Sequence, residues 1–140
     1  MCSNTRRGFS LVEIMIVIVI MGLLATAVTI NVRGYIIKSK QNIARQDISV
    51  MVAALGSFWA DNNRYPTNDE GLTILARKSD KTGEPYLTKD PVDPWGHAYV
   101  YNGPGRKGPF EVICLGGDGR EGGDGADADI SSDDVPQAGK

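Results

Sequence analysis

The chain has 140 residues and a formal net charge of −2. This length allows one compact domain with an anchoring segment, and the slightly acidic balance argues against nucleic acid as a partner. The chain has a single histidine, His97, and its two cysteines, Cys2 and Cys114, have no metal-binding spacing, so the sequence argues against a histidine-based catalytic site and against a zinc site.

The first predicted element is an apolar helix that follows two arginines, Arg6 and Arg7. No residue from Ile14 to Val32 is charged, and this run is close to the length of about 20 residues that crosses a bilayer as a helix. Glu13 lies at the start of the run, where a lone carboxylate in lipid is costly and needs a partner. The arginines predict that the N-terminus stays in the cytoplasm.

Simpler interpretations of this stretch remain open. A cleavable secretory signal could use Ala25-Thr26-Ala27 as its cleavage site, although the run is long for a signal and contains a glutamate. A plain signal anchor would give Glu13 no further role, and its carboxylate would extend toward the headgroups. A buried core helix is disfavoured by the length of the run.

The segment RRGFSLVE, from Arg6 to Glu13, resembles the leader signal of type IV pilins and pseudopilins. The resemblance implies that a prepilin peptidase cuts between Gly8 and Phe9 and methylates the new amino group of Phe9. Glu13 then becomes the fifth residue of the mature chain, one helical turn from that amine. The amine of a neighbouring subunit can therefore neutralise the Glu13 carboxylate during assembly.

The helical pattern continues beyond the apolar run to about Asn62 and becomes amphipathic. Apolar residues recur there at steps of three and four, namely Ile37, Ala44, Ile48, Met51 or Val52, Leu55, and Phe58 or Trp59. Charged and amide residues fill the other face, and Tyr65-Pro66 follows the end of the helix. This stripe is predicted to pack on a small domain.

The remaining chain predicts a short helix and a β-hairpin. Thr67 or Asn68 can cap the short helix, which contains the apolar run LTIL. Two strands are expected, HAYVYN over residues 97–102 and FEVI over residues 110–113. Arg106 and Lys107 are expected at the solvated tip of the loop between them.

Two segments of this domain resemble the major pseudopilins of type II secretion systems. RYPTNDEGL, from Arg64 to Leu72, resembles their Arg-Tyr-Pro-Thr-x-x-Glu-Gly-Leu segment, and DPWG, from Asp93 to Gly96, resembles their Asp-Pro-Trp-Gly turn. The resemblance covers nearly the whole chain. It implies an α+β fold of the type IV pilin-like class, in which a long N-terminal helix packs on a small antiparallel sheet with a C-terminal calcium loop.

The segment from Leu115 to Ile130 is rich in aspartate and glycine. Glycines allow a loop to bring several carboxylates around one point, and calcium binds about six to eight oxygens from carboxylates and carbonyls. No soft ligand lies within this run, which favours calcium over zinc. The alternative is a solvated acidic segment that binds no metal.

The pattern CLGGDG…DADI resembles the structural calcium loop of the G-type pseudopilins. The ligands that this resemblance implies are the backbone carbonyl of Leu115 and the side chains of Asp118, Asp127 and Asp129. Glu121 and Asp124 are further carboxylates that can compete for the ion. The family has Asn-Trp after the Asp-Ile, where this chain has the sequence SSDD, so the loop is expected to close differently at its far end.

The resemblance also implies a linear organisation with one membrane span. Its segments are a leader (1–8), a transmembrane and filament-core half-helix (9–32), an amphipathic half-helix (33–62), a periplasmic globular part with the hairpin and the calcium loop (63–134), and a flexible tail (135–140). The chain would thus be a single-pass inner-membrane protein before assembly.

No nucleophile–base pair or cofactor loop is present, so the chain is predicted not to be an enzyme. The resemblance implies a structural subunit that polymerises into a periplasmic pseudopilus and so drives export of folded proteins across the outer membrane. Its partners would be further copies of itself, prepilin peptidase, minor pseudopilins and an inner-membrane assembly platform. The alternatives are a type IV or competence pilin, and a membrane-anchored calcium-binding module that never polymerises.

Overall fold

The structure is a computed structural model that describes residues 8–135, without the side chains of residues 27–31. Of the predicted leader only Gly8 is described, and of the predicted tail only Val135; the rest of both segments lies outside the described residues. A long helix, α1, runs over Leu11–Asn62, close to the predicted range. The described chain forms two units that divide after Ile36.

The N-terminal unit is formed by the first part of α1. The carbonyl of Ser10 accepts the N–H groups of Glu13 (3.0 Å) and Ile14 (3.3 Å), which begins the helix. The large apolar side chains from Phe9 to Leu24 are all at least 45% exposed. Across the residues open to description, no helix is both long enough and apolar enough to cross a membrane. Part of the predicted span, residues 27–31, lies outside the described side chains.

In the C-terminal unit, α1 ends where Asn63 takes a left-handed φ of 56°. A capping box follows, in which the Thr67 hydroxyl accepts the Glu70 N–H (3.3 Å) and the Glu70 carboxylate accepts the Thr67 N–H (2.8 Å). A 3₁₀-helix then runs over Leu72–Ala76. The short helix was therefore predicted in the right place, but Thr67 caps the turn before it.

Three antiparallel strands form the sheet in the order β1-β2-β3: β1 is Val100–Asn102, β2 is Glu111–Cys114 and β3 is Ile130–Ser131. Tyr101 lies opposite Val112 in the first pair. The two predicted strands are confirmed in position, although β1 begins three residues later than expected. The sequence pattern does not predict β3, because two residues are too few to show an alternating pattern.

The core of the C-terminal unit lies between the apolar stripe of α1 and the sheet. Its buried members include Ala44, Ile48, Met51, Leu55 and Phe58 on α1, and Tyr99, Tyr101, Val112, Cys114 and Ile130 in and beside the strands. Of the two aromatic candidates at the end of the stripe, Phe58 is buried and Trp59 is 47% exposed. The predicted α+β class, a long helix on a small antiparallel sheet, is confirmed.

Candidate functional site

The pairing of β2 with β3 holds both ends of the acidic loop. Cys114 lies opposite Ile130 in this pair. Leu115, which follows Cys114, and Asp129, which precedes Ile130, therefore leave the sheet on neighbouring strands. Two of the four predicted calcium ligands are thus fixed at the base of the loop by backbone pairing.

The far end of the loop is closed by serines. The hydroxyl of Ser131 donates to the Glu111 carboxylate at 2.7 Å. The N–H of Ser132 donates to the carbonyl of Val112 at 2.8 Å, and its hydroxyl accepts the N–H of Val112 at 3.1 Å. These contacts attach the SSDD segment to β2 and show how the loop closes without the family's Asn-Trp.

Three glycines of the loop surround Asp127. A Cβ added to Gly116, where φ is +66°, would lie 2.6 Å from the Asp127 carbonyl oxygen, and one added to Gly123 would lie 2.7 Å from the same atom. A Cβ on Gly117 would lie 2.8 Å from Oδ1 of the Asp127 side chain. Only glycine fits such close approaches, so the glycine spacing of this run has a steric cause.

The other two predicted carboxylates accept backbone hydrogen bonds within the loop. Asp118 Oδ1 accepts the N–H of Arg120 at 3.1 Å, and Asp129 Oδ2 accepts the N–H of Gly122 at 2.8 Å. Between residues 8 and 135, no three acidic, histidine or cysteine side chains lie close enough together to hold a metal ion. The structure thus does not gather the three aspartates into one cluster, while the loop offers oxygen donors of the type that calcium binds.

A buried aspartate supports the loop from the side. Asp93, which is 5% exposed, accepts the N–H groups of Trp95 and His97 at Oδ1, both at 2.9 Å, and the thiol of Cys114 at Oδ2, at 3.4 Å. Burial raises the pKa of the Cys114 thiol to about 11. Trp95 and His97 in turn lie against the glycines of the loop. The sequence predicts this turn but not the role of Asp93, although an aspartate two residues before a turn residue typically bonds the backbone in this way.

An ion pair to a buried carboxylate is a second feature that the sequence does not predict. Glu111 is 1% exposed, and the Arg106 guanidinium donates to both of its carboxylate oxygens. These hydrogen bonds, with one from Ser131, hold the pKa of Glu111 below its ordinary value. The Arg106 and Lys107 side chains are 71% and 68% exposed, as expected of a solvated loop tip, but the Arg106 head group also pairs with Glu111. Lys107 lies 3.7 Å from Asp134.

The predicted processing and assembly residues lie in the exposed N-terminal unit. Phe9 is 81% exposed, and Gly8 and Glu13 are also exposed. Glu13 is the one charged side chain among the described residues 8–26, and it has no ion pair there. The first turn of α1 therefore presents a single carboxylate on an otherwise apolar surface.

Comparison with known families and proteins gives consistent matches along the chain. The family described as type II secretion system (T2SS), protein G, matches residues 31–133, and the prokaryotic N-terminal methylation motif matches residues 3–29. Type II secretion system core protein G of Pseudomonas aeruginosa is 44% identical over 134 residues, which cover 91% of this chain and 94% of that protein. The Vibrio cholerae protein of the same name is 43% identical over 134 residues, covering 91% of each chain.

The fold also matches a solved structure. The crystal structure of the major pseudopilin from the type 2 secretion system of enterohaemorrhagic Escherichia coli superposes with a TM-score of 0.52 at 30% identity. The match covers 68% of this chain and 90% of that chain. On the evidence of its methylation motif, its globular sequence and its fold, the chain belongs to the protein G family of type II secretion systems, a family of structural pseudopilin subunits.

Proposed function

We propose that this chain is the major structural subunit of a periplasmic pseudopilus, and that its N-terminal unit forms the filament core. The observation that supports this most directly is the run of exposed apolar side chains from Phe9 to Leu24. A large apolar surface is unfavourable in water and is normally buried against lipid or protein. Lipid would cover it while the subunit is anchored in the inner membrane, and the helices of other copies would cover it after assembly.

Processing would prepare the helix to move from the membrane into the filament. Prepilin peptidase would cut between Gly8 and Phe9 and methylate Phe9, which removes Arg6 and Arg7 and leaves the apolar helix intact. The match to the N-terminal methylation motif supports this step. Before the cut the N-terminus would lie in the cytoplasm and the C-terminal unit in the periplasm.

Glu13 would set the register between neighbouring helices. A carboxylate in an apolar helix bundle is stable only when its charge is compensated. The amine created at Phe9 of a neighbouring copy supplies the matching charge.

Minor pseudopilins and an inner-membrane assembly platform would initiate and drive the polymerisation, and the growing filament would export folded proteins.

The test is a set of Glu13 variants of the full-length chain in a cell with a working secretion system. E13A and E13Q should both abolish filaments and secretion, because E13Q keeps the shape of the side chain and removes its charge. E13D should retain part of both activities. Glu84→Ala, a change at an exposed acid of the C-terminal unit, is the matched control and should have no effect.

Normal filaments and secretion with E13Q would overturn this role for the charge. If the unaltered chain formed no filaments and E13A left secretion unchanged, the alternative of an anchored module that does not polymerise would gain support. Resistance of the C-terminal unit to limited proteolysis would show in each case that the variant is folded.

We also propose that the acidic loop binds one calcium ion through the Leu115 carbonyl, Asp118, Asp127 and Asp129. The oxygen-only donors and the glycines packed around Asp127 support this assignment. When bound, the ion would neutralise the repulsion between the loop carboxylates. The loop would then stay closed on the sheet and present a fixed surface to neighbouring subunits.

A further inference from the structure

A pocket at the end of α1 has a strongly basic lining. It lies between Phe58 and Asn62 on the last turns of the helix and the segment from Arg77 to Lys81, with a cavity volume of about 380 Å³. Its charged lining consists of the cations Arg64, Arg77, Lys78 and Lys81 and the carboxylate Asp80. We refer to it as the basic pocket.

Two of the four cations in the basic pocket are already engaged. Arg64 donates to both oxygens of Glu70, at 2.7 and 2.8 Å, and the ammonium group of Lys81 donates to the carbonyl of Asp61. Arg77 and Lys78 are exposed, and neither side chain has an ion pair or hydrogen bond within residues 8–135. With Arg64 neutralised by Glu70, three cations of the lining face one carboxylate, Asp80, so the pocket has a net charge of about +2.

The acidic loop has the opposite charge. Between Gly116 and Asp134 the chain has seven carboxylates and one arginine. Glu121 and Asp124 are exposed, are not among the proposed calcium ligands and have no ion pair in the described part of the chain. Because a single calcium ion cannot compensate so many carboxylates, the loop stays acidic when the ion is bound.

The basic pocket and the acidic loop lie at opposite ends of the C-terminal unit. Gln41 donates to the Gly125 carbonyl at 2.6 Å, so the acidic loop is attached near the beginning of the α1 segment in this unit. The basic pocket is at Phe58 and Asn62, and at 1.5 Å per residue the two positions are roughly 25–30 Å apart along the helix. At that separation, the loop of one copy cannot fill the pocket of the same copy.

We propose that the basic pocket of one copy receives Glu121 and Asp124 from the acidic loop of a second copy. This proposal rests on the polymerisation proposed above and identifies a contact between the globular units. A contact that joins two different surfaces at opposite ends of a subunit is heterologous, so its repetition builds an open filament. Opposite charges also fix the orientation of the partner, which apolar helix packing alone does not.

Disulfide trapping in assembled filaments tests the contact directly. The full-length double variants R77C/E121C and R77C/D124C would be produced with the other secretion components and oxidised mildly. A head-to-tail contact should yield a ladder of dimers, trimers and longer products, because every copy supplies both halves of the bond. The single variants and the pair R77C/D69C, which uses an exposed aspartate outside the loop, should yield no ladder. The native Cys114 is buried and does not interfere, and Cys2 belongs to the leader, which processing would remove before assembly.

Charge exchange gives an independent readout. The variants R77E/K78E and E121K/D124K should each lower the amount of filament by roughly tenfold or more, since each places like charges across the contact. The combined four-residue variant restores opposite charges in exchanged positions and should recover most of the filament. Recovery of this kind cannot come from a folding defect in either parent.

The outcomes separate this contact from the proposed function. If the unaltered chain formed no filaments, the proposed function and this contact would fall together. If filaments formed and neither cysteine pair gave a ladder, or if the combined variant were no better than its parents, the contact would be wrong and the proposed function would stand.

Discussion

The guanidinium of Arg106 holds the carboxylate of Glu111, with its Nε 2.9 Å from Oε1 and 3.1 Å from Oε2. Ser131 donates to the same carboxylate at 2.7 Å. The loop between β1 and β2, the strand β2 and the strand β3 therefore meet at one buried charge. This contact connects the hairpin to the strand that closes the acidic loop.

Loss of Arg106 should destabilise the C-terminal unit more than an ordinary surface change. Glu111 is 1% exposed, and R106M removes the cation that pairs with its carboxylate. An uncompensated buried charge is strongly unfavourable. The melting temperature should fall by roughly 5 °C or more. Thermal unfolding of the full-length chain in detergent, followed by circular dichroism, measures the change.

The double variant R106M/E111M is the control for this interpretation. It removes the buried carboxylate together with its partner, so the melting temperature should lie above that of R106M. A double variant that is less stable than R106M would show that Glu111 is held mainly by Ser131.

A second ion pair predicts the behaviour in acid. Hydrogen bonds from Arg64, and next from the Thr67 N–H, lower the pKa of Glu70 from 4.5 to about 2. A carboxyl group with a lowered pKa stabilises the fold above its unfolded pKa, and this contribution is lost as the pH falls through the folded pKa. E70Q should therefore weaken the pH dependence of the melting temperature between pH 4.5 and 2.

The comparison for this prediction is E84Q. Glu84 is exposed and has no ion pair within residues 8–135, so the melting temperature of E84Q should depend on pH as that of the unaltered chain does. If E70Q and E84Q gave the same curve as the unaltered chain, the Arg64–Glu70 pair would not contribute to stability in solution.

The sequence predicts α1 to within two residues of its observed start because the helical pattern is long and its apolar positions recur regularly. It misses β3 because Ile130 and Ser131 are extended only through pairing with the free edge of β2. Strand pairing of this kind depends on contacts distant in the chain, and no local signal encodes it.

The side-chain contacts of the candidate site also depend on residues that are distant in the chain. The loop, its glycines and its acids can all be found from composition, since a glycine-rich acidic run is unusual. Arg106 and Glu111 could not be paired from the sequence, because an arginine in a loop ordinarily extends into water. The role of Asp93 depends on Cys114, which is distant in sequence and adjacent only after the sheet has formed.

The glycines around Asp127 predict a steric effect that can be separated from backbone strain. Gly116 and Gly122 both have positive φ, +66° and +92°, but only Gly116 has a close neighbour. G122A should cost about 1 kcal/mol through strain alone. G116A should cost about 3 kcal/mol, because its Cβ would also lie 2.6 Å from the Asp127 backbone.

Denaturant unfolding of the two variants gives both free energies. Equal losses for G116A and G122A would show that the loop moves freely away from the added methyl group. That result would contradict the tight packing around Asp127, and with it the main structural support for the proposed calcium loop.

Calcium removal should lower the stability of the chain if the acidic loop binds the ion. Binding to the folded state alone stabilises it by about 2.7 kcal/mol when the free ion is at 100 times its dissociation constant. The melting temperature should therefore rise with calcium and fall with chelator, and magnesium should have a smaller effect because it releases its water reluctantly. D118A should abolish the calcium-dependent rise, while D80A, at an exposed acid outside the loop, should retain it.

The same melting temperature in calcium and in chelator would show that the loop is a solvated acidic segment. Because Glu13 lies in the other unit, the polymerisation proposed from Glu13 would not be affected by that result.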